Sequence, residues 1–163
     1  MTSLSLDEIK DADQFEDLIK NYFEKLSEDS DSLVSSVKVK QSGVGTDGGR
    51  DILVELHFSD EITLFNRIWV VQAKFHKTNV GPSQVNQINI PTLIHSYNAN
   101  GYLLICRKNP TSGLTELFER LEEKCSHKYK YEYWTGNDFL GKLLQQPDIL
   151  KQYFPEYYKS IKL

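Results

Sequence analysis

Asp51 opens an alternating apolar run, DILVELHF (51–58), and a Gln72-Ala73-Lys74 triplet lies near the end of another, IWVVQAKF (68–75). With the two runs side by side as strands, a carboxylate, an amide and an ammonium surround one divalent cation. A hard ion such as Mg²⁺ takes oxygen ligands, usually one or two carboxylates together with waters and substrate phosphate. Asp51 offers the carboxylate, and the Gln72 side-chain carbonyl and the Ala73 main-chain carbonyl offer further oxygens. Lys74 supplies a cation that can orient a water. Such a set suits phosphodiester hydrolysis, in which the metal neutralises phosphate and acidifies its bound water. A neighbouring cation stabilises the charge that develops.

The elements that position these groups can be read from periodicity. In the run 68–75, Ile68, Val70, Gln72 and Lys74 share one face of a strand, and Trp69, Val71, Ala73 and Phe75 share the other. The amide and the ammonium therefore point to the same side of the sheet. Asp51–Phe58 and Ile68–Phe75 are expected to pair antiparallel through Ser59–Arg67. Before them, Gly43, Gly45, Gly48 and Gly49 make Ser42–Arg50 a tight turn region where backbone can come close to a partner. Asp11–Leu26 is an amphipathic helix with Phe15, Leu18, Ile19, Tyr22, Phe23 and Leu26 at three- and four-residue steps. Asp11 or Asp13 caps its start. Leu33–Lys40 forms a first strand.

Further along, Ser83–Ser96 is expected to be a helix interrupted at Pro91. Tyr102–Cys106 (YLLIC) reads as a buried central strand, Thr111–Lys124 as a helix and Tyr131–Trp134 as a late strand. Asp138–Leu144 and Pro147–Tyr153 are short helices. The order αβββαβαβ with terminal helices implies an α/β fold, a mixed central sheet flanked by helices.

Composition bounds the remaining classes. The chain has 163 residues, 39% hydrophobic and 26% charged, which suits one compact domain over 1–163 and argues against disorder. No apolar run approaches the roughly 18–20 residues that span a bilayer, and the acidic start lacks the features of a signal peptide. Cys106 and Cys125 match no metal spacing, and without an export signal no disulfide is expected. A cytoplasmic setting follows as the expectation. Net charge is −4. Residues 1–32 hold ten acids against three lysines, so the remainder carries a net +3 and can meet phosphates.

GTDGGRDILV followed by WVVQAK resembles the PD-(D/E)xK nuclease superfamily, specifically its Mrr-like restriction endonuclease branch, with Q-x-K in place of the commoner E-x-K. FEDLIKNYFEKL also resembles the first helix of that family. The resemblance implies a restriction-endonuclease-like αβββαβ core over about residues 11–106, with 135–163 as a helical C-terminal extension. By motif, Glu16 matches the helix glutamate at the metal site, Asp51 the metal-binding aspartate, Gln72 the variant acidic position and Lys74 the catalytic lysine. It further implies Mg²⁺ or Mn²⁺ as cofactor and double-stranded DNA as substrate, cut in bacterial restriction or anti-phage defence. Homo-oligomers for double-strand cleavage and further domains of a longer chain belong to the same expectation. The amide at Gln72 removes one negative charge from the site. The alternative is therefore a nuclease-shaped binding or interaction module without chemistry.

Each residue has an ordinary reading beside the functional one. Any antiparallel hairpin can carry a strand-start Asp and a surface Gln/Lys pair. Acids crowd the first helix, so Glu16 could be merely solvated like Glu24. Asp47 before Gly-Gly suits turn chemistry. Arg50, His76, Lys77, Gln84 and Gln87 are candidate nucleic-acid contacts, as are Arg107 and Lys108, although strand-end and helix-face polarity is commonly only solvated. His95 and His127 lie away from the motif. Tyr153, Phe154, Tyr157 and Tyr158 either stack bases or pack on the core.

Overall fold

The computed structural model describes residues 2–28, 31–44, 50–76, 79, 81–82, 90–125 and 128–162, without the side chains of 42–44, 50 and 125. Helix α1 (Ala12–Glu24) starts at Asp11, whose carboxylate accepts from the Gln14 N–H at 2.8 Å. This cap satisfies one of the otherwise unpaired donors of the first turn. Phe15, Leu18, Ile19, Tyr22 and Phe23 form its buried stripe.

Strands β1 (Val34–Val44), β2 (Arg50–Ser59) and β3 (Leu64–Lys74) form an antiparallel meander. The β2–β3 connector is shorter than the alternation predicts, because β3 begins at Leu64 rather than Ile68. Residues 64–67 are exposed, so no burial pattern marks them in the sequence, yet their backbone still pairs with β2. Asp60 Oδ1 accepts from the N–H groups of Ile62 and Thr63, each at 2.9 Å, and closes the turn. The Phe58 and Phe65 rings stack across the hairpin with centroids 5.3 Å apart.

Strand β4 (Gly101–Cys106) runs parallel to β3 and β5 (Lys130–Trp134) parallel to β4, giving the order β1-β2-β3-β4-β5. All six residues of β4 are buried, as a parallel strand covered on both faces must be. Helices α2 (Ile90–Ser96) and α3 (Ser112–Cys125) cover one face, with Ile90, Ile94, Leu114 and Phe118 packed on Val70, Tyr102, Leu104 and Cys106. Residues 83–89 of the expected helix lie outside the described residues, and Pro91 falls in the first turn of α2, where its missing N–H leaves no helical bond unmade.

The other face belongs to α1 and to three terminal helices, α4 (Gly136–Leu143), α5 (Pro147–Tyr153) and α6 (Pro155–Ile161). Phe139, Leu143, Ile149, Leu150, Tyr153 and Phe154 join Phe15, Leu18, Ile52, Val54, Val71 and Leu103 in one core. The expected late strand Tyr131–Trp134 is β5, which adds a parallel strand beyond the αβββαβ core. The C-terminal extension is helical as expected, and of the two readings of its aromatics packing holds, since Tyr153 and Phe154 are buried in the core. Tyr157 and Tyr158 pack against that core.

Phe139 is fully buried, with ring centroids 5.5 Å from Tyr22 and 6.0 Å from Phe15. Phe139→Ala should therefore cost about 3–5 kcal/mol, the range for truncating a core aromatic. Urea unfolding would show it as a lower midpoint at unchanged slope. A loss below about 1 kcal/mol, beneath that range, would mean that α4 is not part of the α1 core.

Candidate active site

Antiparallel pairing of Ile52 with Val71 sets the next residue of each strand, Asp51 and Gln72, face to face. Because side chains alternate along a strand, Ile52, Val71 and Ala73 turn to the α1 face, whereas Asp51, Gln72 and Lys74 turn to the α2/α3 face. The cores divide accordingly, with Val71 in one and Val70 in the other. The Gln72 Nε2 donates to Asp51 Oδ1 at 2.5 Å. Tyr97, one residue beyond α2, donates its hydroxyl proton to Asp51 Oδ2 at 3.1 Å. Tyr102 of β4 donates to Gln72 Oε1 at 2.7 Å. The amide thus meets the carboxylate with its nitrogen and holds its oxygen toward β4.

Among the described residues, the buried polar or charged side chains are Glu16, Gln72 and Lys74, at 6%, 8% and 7% exposure. These are three of the four residues singled out by motif. Burying an ionised group costs several kcal/mol unless it is paired or otherwise satisfied, so buried charges mark places where something other than packing is served. Glu16 follows Phe15 on α1, and the Phe15 ring lies 5.1 Å from that of Phe75, next to Lys74. The start of α1 thus reaches the same end of the sheet as Lys74, from the opposite face. That end is also the C-terminal edge of the parallel pair β3 and β4, where open α/β sheets commonly bind ligands.

The donor set fits a hard cation by its chemistry. Asp51 and Glu16 are carboxylates, and the Ala73 main-chain carbonyl lies between Gln72 and Lys74. Among the described residues no three His, Cys, Asp or Glu side chains cluster to hold a metal by themselves. An ion held by one or two carboxylates and its own waters does not need such a cluster.

Residues 7–136 match the Mrr_cat family model, described as restriction endonuclease, which is most of the chain. The chain belongs to the Mrr-type restriction endonuclease family. Its fold is similar to that of the DNA modification-dependent restriction endonuclease AspBHI. The TM-score is 0.52 at 13% identity, over 99% of this chain and 43% of AspBHI. A second similar structure is the MspJI restriction endonuclease in complex with a 27-mer oligonucleotide. There the TM-score is 0.47 at 11% identity, over 87% of this chain and 34% of that one. The chain thus spans less than half the length of either structure. Comparison with curated proteins gives no match.

Within this Mrr-type fold the remaining candidates separate. His76 is exposed just beyond β3, and His95 is exposed on α2. Arg107 is already engaged, paired with Asp7 at 3.0 Å and stacked 4.4 Å over the Phe75 ring. That pair holds the Asp7 carboxyl below the usual carboxylate range. Lys77, Gln84, Gln87, Asp47 and His127 lie outside the described residues, as does the side chain of Arg50. Gly43–Gly48 has the letters of a dinucleotide-binding GxGxxG turn, but it joins two strands, and that turn requires a strand followed by a helix.

Tyr97 and Tyr102 belong to no motif in the sequence, where Tyr102 is one residue of an apolar strand. The available signal was its hydroxyl, since a buried tyrosine finds a hydrogen-bond partner and period two puts it on the Gln72 side. Tyr97 had no such signal, because its reach to Asp51 depends on where α2 docks.

Cys106, opposite Lys74 in the β3–β4 register, is a free thiol. Burial pushes it up to about 12, against the pull of the Lys74 ammonium. At pH 8 it stays protonated. In a Cys125→Ser variant, iodoacetamide at pH 8 should leave the native protein unlabelled and modify it once unfolded in urea. Rapid labelling of native protein would mean that the Lys74 end of β4 is open to solvent.

Proposed function

We propose that this chain is a metal-dependent endonuclease domain that hydrolyses phosphodiester bonds in DNA, serving restriction or anti-phage defence. The observation that supports it best is the set of three buried polar side chains, Glu16, Gln72 and Lys74, at the end of the sheet where Asp51 stands near the start of β2. The family supports nuclease chemistry and the general use of a divalent ion.

In this reading Asp51, Glu16 and the Ala73 carbonyl would hold Mg²⁺ or Mn²⁺, whereas the Gln72 carbonyl, expected from the sequence as a further ligand, instead accepts from Tyr102. The bound ion supplies charge neutralisation and a more acidic water. Lys74, buried on the Asp51 face, keeps its ammonium in a low-dielectric setting where it acts strongly on an attacking water or a developing oxyanion. Gln72 of β3 and Tyr97 beyond α2 both donate to Asp51 and help keep it in place. His76, exposed beyond Lys74, is a candidate contact to the phosphate backbone, and Lys77, Arg50, Gln84 and Gln87 remain candidates from the sequence. Double-stranded DNA is the proposed partner, in the cytoplasm, with two copies needed to cut both strands. Among the described residues no helix is long and apolar enough to cross a membrane. We read residues 1–163 as one nuclease domain, and the partial coverage of AspBHI supports further domains in a longer protein.

A second reading, a binding module without turnover, draws on the Gln72 amide, which faces Asp51 with N–H where an E-x-K site would place another carboxylate. A plasmid-nicking assay separates the two. With Mn²⁺ the parent should nick DNA, and EDTA should abolish the activity. Asp51→Ala and Lys74→Ala should each lower the rate by about 10²-fold or more, as loss of an electrostatic group in a catalytic site does, while circular dichroism stays unchanged. Equal nicking by parent and both variants would rule out this site. DNA binding with no cleavage at any metal concentration would favour the second reading.

A further inference from the structure

The hydrogen bonds around Asp51 have a direction that chemistry dictates. An ionised carboxylate only accepts, so the Gln72 group 2.5 Å from Asp51 Oδ1 must be the amide nitrogen. The amide oxygen is then turned to Tyr102, and the hydroxyl 2.7 Å away has to donate. Rotating the amide by half a turn would set two oxygens against each other at Asp51. Tyr102 is fully buried, so no water replaces its hydroxyl without rearrangement. Leaving the Gln72 oxygen without a donor in such a setting costs far more than an average hydrogen bond is worth. On the other carboxylate oxygen, Tyr97 donates at 3.1 Å. Asp51 is thus held by a relay that starts in β4, passes through β3 and reaches β2, and by a second donor from the end of α2.

We propose that Tyr102 is a positioning residue for the candidate site: its hydroxyl fixes the Gln72 amide so that the nitrogen clamps the Asp51 carboxylate. Gln72 then serves the site as a donor to the aspartate, and Tyr97 completes the clamp. This deepens the nuclease reading and rests on it for its catalytic consequence, but the clamp itself can be measured without turnover.

The primary measurement is the Gln72 side-chain NH₂ signal in ¹H–¹⁵N spectra of the whole chain, assigned by its disappearance in Gln72→Met. The amide proton that bonds Asp51 should be shifted downfield of the other. Asp51→Ala and Tyr102→Phe should each move it back toward the position of a solvated glutamine, with melting temperature as the control for folding. A signal unmoved by either variant would overturn the clamp, whether or not the protein cuts DNA. Should Tyr102→Phe not fold, Asp51→Ala still tests the Gln72–Asp51 bond. The Tyr102 hydroxyl proton of the parent, expected to exchange slowly and to be lost or shifted in Gln72→Met, tests the other. A hydroxyl signal unmoved by Gln72→Met would overturn the positioning role.

The second measurement is nicking rate in a double-mutant cycle. Tyr102→Phe should slow the parent about tenfold, the effect of about 1.4 kcal/mol, and should have no further effect in Gln72→Met. Equal slowing in both backgrounds would mean that Tyr102 acts through packing and would overturn its positioning role. A shifted Gln72 signal in a parent that never cuts would support the clamp and count against the nuclease reading.

Discussion

The cross-strand pair of Asp51 and Gln72 is the contact on which the proposed chemistry depends. It exists because β2 and β3 pair in one register, with Ile52 opposite Val71 and Leu53 opposite Val70. A slip of one residue would send Asp51 to the α1 face and strand Ile52 among the groups it now leaves behind. Burial on both faces prevents that slip. Ile52 and Val54 are fully buried against α1, and Val70 and Leu104 against α2 and α3. The hydrophobic patterning of two strands therefore sets the position of one carboxylate.

Covering both faces also explains how an ammonium and a carboxylate are buried at the end of the sheet. Lys74 closes β3 beside Cys106, under the α2/α3 layer, while Glu16 is carried on α1 beneath the other. Neither layer alone would bring both side chains out of solvent. The C-terminal helices contribute to this at a distance. Phe139 and Tyr22 pack together, and Tyr153 hydrogen-bonds Asp17 and Asn21, so the segment after β5 braces α1 against the sheet. Glu8 adds a link by accepting from the N–H groups of Glu156 and Tyr157 at 3.0 and 3.1 Å.

Much of this was legible in the residues. Alternation in IWVVQAKF assigned the faces of β3 as they are, and the six-residue apolar strand YLLIC with its preceding glycine is the buried centre. The start of β3 was not legible, because Leu64, Phe65, Asn66 and Arg67 are exposed and leave no period to read. The role of the last helices was not legible either. Their apolar residues show that they bury something, but not against which face. Glu16 was visible by motif, yet an acidic helix gives no sign of which carboxylate is buried.

The sequence by itself determined which side chains share a strand face, since a period of two is a property of the extended chain and needs no partner. It also determined the helix stripe of α1 and, through GTDGGRDILV and WVVQAK, the Mrr-type family. Only the tertiary structure decided that the Gln72 amide meets Asp51 with its nitrogen. That orientation comes from Tyr97 and Tyr102, which lie 46 and 30 residues away from their partners and converge only when β4 and α2 dock. A hydrogen bond depends on three-dimensional distance and angle, and no local pattern in the chain encodes those.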